Sequence, residues 1–128
     1  VVGSANDYDY AQSFIDQSKI NIVNFCGKTN LPDLGYLLKQ SDLLLSVDTG
    51  TAHIAAAQET DTIVIFAGTS HKHWAPYGNK VKVVNPKWSC YPSSDKERKQ
   101  CKSYPCLENI DIDNVIEFCK DIIEHKRG

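Results

Sequence analysis

One stretch constrains the chain more than any other. Leu43-Leu44-Leu45-Ser46-Val47 runs into Asp48-Thr49-Gly50-Thr51-Ala52-His53, then into Ile54-Ala55-Ala56-Ala57. The first run is apolar and short enough to be a buried strand. The last is Ala-rich, suited to a helix lying close on a sheet. Between them lies a small polar turn. A strand passing through such a turn into a helix aims free backbone N–H groups and the positive end of the helix dipole at one point. That point suits an anion, above all a phosphate.

The rest of the chain repeats the alternation. Val1-Val2-Gly3 reads as the tail of a strand that turns at Gly3, with Ser4 to Asp7 as turn and capping residues. The next helix carries Ala11, Phe14 and Ile15 on one face, with Ser18 in register. Ile20 to Phe25 form a second strand, ended by Gly27. Asn30 then caps a helix with Pro32 in its first turn, and Leu31, Leu34, Leu37 and Leu38 line one face. Leu43 to Val47 is the third strand, followed by a helix over Thr51 to Gln58. Thr62 to Phe66 is a fourth strand, apolar on both faces, and Val81 to Val84 a short fifth.

A polar loop, Ala67 to Gly78, separates the last two strands. Asn85 to Glu108 read as irregular, and the charge run Asp95 to Lys99 as a solvated loop. A final helix starts near Asp111 with the stripe Ile112, Val115, Ile116, Cys119, Ile122, Ile123. His125, Lys126 and Arg127 complement its dipole.

Alternating strands and helices imply an α/β fold with a parallel, doubly wound sheet. Such sheets bind ligands beyond the carboxyl ends of their strands. Asn30, the Asp48–His53 turn and the Gly68–Gly78 loop all follow strands and fall on that edge.

At 128 residues the chain reads as one domain, residues 1–128, and Val1-Val2-Gly3 reads as the middle of a fold, which implies a piece of a longer chain. A net charge of -2 gives no pull toward nucleic acid. No run reaches the roughly 18 apolar residues of a membrane span, and no signal peptide is evident. Of the five cysteines, Cys26 and Cys119 fall on apolar faces and read as buried thiols. Cys90, Cys101 and Cys106 share one segment. Reduced thiols and a disulfide between two of them are both open, whereas zinc is disfavoured because no CxxC pair is present. His71 and His73 lack a third ligand at metal-binding spacing.

In the central turn, Gly50 lets backbone approach a ligand with no Cβ in the way. Thr49 and Thr51 add hydroxyl donors. His53, four residues after Thr49 and in the first helical turn, leans back toward the same ligand. A carboxylate would repel phosphate, so Asp48 accepts either from sugar hydroxyls or from helix N–H groups as a cap. The plainer alternatives are a capping Asp48, a structural His53 and an ordinary Thr49-Gly50-Thr51 turn. No Gly-Lys-Ser/Thr follows, and no GxGxxG follows any strand, which weighs against a dinucleotide oxidoreductase.

Asp48-Thr49-Gly50-Thr51-Ala52-His53-Ile54-Ala55-Ala56-Ala57 resembles the Asp-Ser/Thr-Gly-x-x-His-x-Ala-Ala-Ala signature of glycosyltransferase family 9, the heptosyltransferases of lipopolysaccharide synthesis. Cys26-Gly27-Lys28-Thr29-Asn30-Leu31 is similar to that family's Gly-Lys-Thr-Ser-Leu segment. Ile65-Phe66 with Trp74-Ala75-Pro76-Tyr77-Gly78 resembles its Phe-Gly…Trp-x-Pro-Tyr-Gly loop. The Cys90–Cys106 segment and the closing helix also fit. Phe66-Ala67-Gly68-Thr69 departs from the family's Phe-Gly-Pro-Thr, and Tyr91-Pro92-Ser93 stands where a second cysteine is expected.

The resemblance implies a Rossmann-like sheet with helices on both faces, one half of a GT-B fold, namely the carboxyl-terminal half that binds the nucleotide-sugar donor. It implies an inverting transfer of a sugar, a heptose, from a nucleoside diphosphate to a lipid-linked saccharide acceptor, without a metal or other cofactor. Asp48, Thr49, Gly50, Thr51 and His53 would then hold the diphosphate and sugar of an ADP-heptose-like donor. Thr29 would sit near the nucleoside, and Asp7 or Asp9 would accept from the ribose. Apart from the resemblance, Trp74 and Tyr77 read as packing against the nucleotide-binding edge in preference to a metal pair at His71 and His73. The base and acceptor site would lie in an amino-terminal domain, which would also make any contact with the inner membrane from the cytoplasm. A nucleotide-sugar epimerase, a non-catalytic nucleotide-binding module and a hydrolase using Asp48 and His53 are the competing readings.

Overall fold

Thr62-Ile63-Val64-Ile65 is β-branched throughout, and β-branched side chains favour extended backbone. It forms the middle strand of a three-stranded parallel sheet in the computed structural model, which describes residues 1–128. The order is β1 (Leu44–Val47), β2 (Thr62–Ile65), β3 (Val81–Val84). Leu44 is in register with Thr62, and Thr62 with Val81. The helices are α1 (Tyr8–Asp16), α2 (Leu31–Lys39), α3 (Gly50–Ala57), α4 (His71–Trp74), α5 (Asp95–Gln100), α6 (Pro105–Glu108) and α7 (Ile112–Arg127). None is long and apolar enough to cross a membrane. The chain divides into two units, Val1–Tyr36 and Leu37–Gly128.

In the second unit, β2 is covered on both faces, as its unbroken apolar run predicts. Ile63 and Val64, which point to opposite sides, are both fully buried. On one side Ile63 and Val84 pack with Ile110, Val115 and Ile122, joined by Leu43, Ile65, Phe118 and Cys119. On the other, Val64 and Phe66 pack with Ala52, joined by Ala75, Val81, Val83 and Tyr91. Ala52 and Ala55 are the buried residues of α3, so only methyl groups separate helix from sheet. Each large apolar side chain fully buried in this way stabilises the fold by about 1.5–3 kcal/mol.

Asp111 caps α7 by accepting from Asn114 N at 3.0 Å. The predicted stripe is only half realised: Val115 and Ile122 turn inward, while Ile112 and Ile116 stay exposed. At the other end of α7, Lys126 Nζ reaches Asp61 at 3.0 Å and donates to Asp42 O at 2.6 Å.

In the first unit, Val1 N donates to Val23 O, Phe25 N to Val1 O and Gly27 N to Gly3 O. That is the pattern of parallel pairing. It spans too few residues to make regular strands, so two of the five expected strands are paired extended segments. Ser4 and Asp7 form a capping box around a 3-10 turn, Ala5–Asp7, that leads into α1. The Ser4 hydroxyl, and then its N–H, hold the Asp7 carboxyl below the usual carboxylate range. Buried Asn24 donates to Tyr8 O and Gln12 Oε1 and accepts from Cys26 N. At Gly27, φ is +70° and an added Cβ would stand 2.8 Å from Ala5 Cα, so only glycine fits. Asn30 accepts from Asp33 N and caps α2, as its position predicts.

The 85–108 segment corrects the expectation of irregular chain. The charge run is α5, a helix capped by Ser94 and Glu97, and Pro105 starts α6. Neither shows an apolar stripe, because each is too short to have one. All five cysteines are free thiols; Cys26 and Cys106 are buried, and burial pushes the Cys119 thiol up.

Candidate functional site

β1 ends at Val47, and the chain turns through Asp48 and Thr49 into α3. Thr49 is extended (φ -144°, ψ 166°) in the capping position, yet no side chain caps the helix. Its hydroxyl instead lies 3.3 Å from Ser46 Oγ. A helix cannot satisfy its own first N–H groups, so those of Gly50 and Thr51 are left to an outside acceptor. A Cβ built on Gly50 would meet nothing within 4 Å. Thr49, Gly50 and His53 are exposed, and Thr51 is half-buried. His53 is therefore not an interior histidine, and the amino end of α3 is open to solvent. Thr49 and His53, one turn apart, stand on the same side of that opening.

Asp48 is placed differently from its neighbours. It is half-buried and accepts from Thr69 Oγ1 at 2.5 Å. Of the two roles left open for it, helix cap is not the one it takes. Thr69 belongs to the segment after β2, so this bond ties together the chain following two adjacent strands. Sequence reasoning missed Thr69. The available signal was its place on the same carboxyl edge, in the loop directly after Gly68.

The segment after β2 is pinned by the 85–100 region. Ser93 N donates to Gly68 O at 2.9 Å. Arg98 donates to Ser93 O at 2.5 Å and pairs with Asp95. A Cβ on Gly68 would come within 2.8 Å of Arg98 Cδ, so the Ala67-Gly68 departure from the family pattern makes room for the arginine stem. Tyr91 stacks on His71 with rings 3° from parallel, and its hydroxyl lies 2.8 Å from His71 Nδ1. Burial pushes the Tyr91 hydroxyl above its ordinary value; the His71 N–H pulls the other way, and the Asp48 charge adds to the rise.

The expectation that Trp74 and Tyr77 pack against the nucleotide-binding edge is not met. Trp74 is 60% exposed and Tyr77 fully so. Trp74 ends the single turn of α4 and Tyr77 lies in the loop beyond it; neither ring folds back onto the sheet. Thr29, the predicted site residue of the first unit, is half-buried immediately before the Asn30 cap. In the same unit Asp7 is engaged by Ser4, whereas Asp9 is exposed. No three His, Cys, Asp or Glu side chains gather into a metal-binding group.

Comparison with known proteins gives a consistent result. Residues 1–104 match the family model described as glycosyltransferase family 9 (heptosyltransferase). The chain is 26% identical over 114 residues to lipooligosaccharide heptosyltransferase 2 of Campylobacter jejuni, covering 87% of this chain and 35% of that protein. It is 45% identical over 62 residues to the lipopolysaccharide core heptosyltransferase OpsX of Haemophilus influenzae, covering 48% of this chain and 18% of that one. It thus spans about a third or less of the curated relatives it matches. A crystal structure of the glycosyl transferase family 9 from Veillonella parvula superposes with a TM-score of 0.83 at 22% identity, over 97% of this chain and 36% of that one. This likeness gives the fold: a Rossmann-like α/β half of a GT-B protein. On the match across residues 1–104, the chain belongs to glycosyltransferase family 9.

Proposed function

We propose that this chain is the donor-binding half of an inverting glycosyltransferase that passes a heptose from a nucleoside diphosphate to a lipopolysaccharide-type acceptor. The observation that carries this reading is the open, uncapped amino end of α3, with Gly50 bare and His53 beside it. The α3 N–H groups, the Thr49 and Thr51 hydroxyls and His53 would hold the two phosphates. Asp48, fixed by Thr69, would accept from a sugar hydroxyl with its remaining lone pairs. Thr29 would lie near the nucleoside.

As the bond to the sugar breaks, negative charge grows on the leaving phosphate oxygen. Donors already aimed at that oxygen stabilise the transition state more than the ground state. In this reading they, rather than a metal, carry the leaving diphosphate. A base to deprotonate the acceptor would come from the part of the enzyme that this chain, a third of its relatives' length, does not span. The enzyme would work in the cytoplasm, at the inner face of the membrane that holds its acceptor.

Calorimetric titration with ADP, UDP and GDP and their sugars tests the reading. One nucleotide should bind, and His53→Ala should weaken it by about tenfold, the scale of one lost charge-assisted hydrogen bond. Unchanged affinity in that variant would overturn the assignment.

A further inference from the structure

Thr69 holds Asp48, and a short strap holds Thr69. The loop from Ala67 to Ser70 contains no helix or strand, so its shape depends on contacts from outside. Two such contacts bracket Thr69. Ser93 N donates to Gly68 O at 2.9 Å, one residue before it. His71 N donates to the Tyr91 hydroxyl at 3.3 Å, two residues after it. Both partners come from the tripeptide Tyr91-Pro92-Ser93.

The strap is itself fixed. The Tyr91 ring packs against the buried cluster of Ala52, Val64 and Phe66. Tyr91 N donates to Trp88 O at 3.1 Å, Ser93 Oγ to Cys90 O at 2.6 Å, and Arg98 to Ser93 O. The Tyr91 hydroxyl also lies 2.8 Å from His71 Nδ1, so one oxygen engages both the backbone and the ring of the residue that opens α4. An oxygen that accepts the backbone N–H has its own proton free for the ring nitrogen. Both ends of the strap fall where the sequence departs from the family pattern: Tyr91-Pro92-Ser93 on one side, Ala67-Gly68 on the other.

The strap bears on what Asp48 has to do. A carboxylate beside a diphosphate is repelled by it, and an unheld side chain would rotate away. Thr69 opposes this by donating to Oδ2 at 2.5 Å, which leaves the other lone pairs for a sugar hydroxyl. That grip is only as firm as the loop that carries Thr69. We infer that Tyr91 is a positioning residue for the sugar end of the donor, acting through His71 and Thr69 on the Asp48 carboxylate. The inference rests on the donor-site reading above, because Asp48 meets a sugar only if the diphosphate lies on α3. Tyr91→Phe keeps the ring in its cluster with Ala52 and removes only the hydroxyl. The phosphate end is then untouched, and the sugar end loosens.

The test is calorimetric titration of the 128-residue chain with ADP and with ADP-heptose. Tyr91→Phe should weaken ADP-heptose by about fivefold, within the range of one lost hydrogen bond, and leave ADP unchanged. Thr69→Val should show the same selective loss. In the double variant the two losses should not add, since the hydroxyl works through Thr69. A residue that only supports the fold would weaken both ligands alike. Equal weakening of the two, unchanged ADP-heptose affinity in Tyr91→Phe, additive losses, or ADP binding without ADP-heptose binding would overturn the positioning role and leave the phosphate site standing. If the unsubstituted chain binds neither ligand, the donor-site reading fails, and the positioning role with it.

Discussion

Thr69 donates its hydroxyl proton to Asp48 at 2.5 Å, joining the ends of two neighbouring strands across 21 residues of sequence. Thr69→Val keeps the shape and removes the donor. It should lower stability by about 1–2 kcal/mol, the scale of a hydrogen bond to a half-buried charge, read by chemical denaturation. Unchanged stability would mean that water replaces the hydroxyl at no cost.

Ile63 is fully buried in the middle strand, whereas Leu45, paired with it on β1, is half exposed. Ile63→Ala should cost about 2–5 kcal/mol, from lost burial plus the cavity left behind. Leu45→Ala should cost less than about 1 kcal/mol, because most of its area is already in water. Equal costs in urea unfolding would contradict the burial described for β2.

The Ser94 hydroxyl and N–H hold the Glu97 carboxyl below its ordinary value of 4.5. The carboxylate is favoured in the folded state, so its contribution is complete above pH 4.5 and is lost as pH falls through the lowered folded value. Titration of the Glu97 side chain by NMR should show the depressed value, and Ser94→Ala should raise it only part of the way, because the backbone N–H of residue 94 still donates to the carboxylate. The same substitution should cost α5 about 0.5–2 kcal/mol, visible as faster amide exchange in that helix alone.

Lys126 bridges Asp61 and the Asp42 carbonyl at the surface. Lys126→Met should reduce stability by no more than about 1 kcal/mol, as for other solvent-accessible pairs, and the loss should shrink at high salt.

What could be read from the residues was what local physics governs. The unbroken β-branched run at Thr62–Ile65 announced a strand covered on both sides. Alanines at 52 and 55 announced a helix lying close on it, and Asn30 and Asp111 marked two helix starts. What could not be read depended on distant partners. Asp48 found Thr69 rather than a helix end, and Arg98 found Ser93 beside Gly68. The Ser94–Glu97 spacing did carry a capping signal for α5, but a charge run without an apolar stripe masked it. Trp74 and Tyr77 were expected on the nucleotide-binding edge, but Trp74 ends a single helical turn and Tyr77 follows it in the loop, and both rings stay in solvent.

Gly50 has no positive φ to require it, and an added methyl there would touch no other atom of the protein. Alanine favours a helix over glycine by up to about 1 kcal/mol, so Gly50→Ala should melt at the same temperature or slightly higher. Its methyl would intrude only on a visitor, and nucleotide titration should show the affinity falling. At most positions the upkeep of a fold and the use of its surface change together; at this bare α-carbon the two come apart.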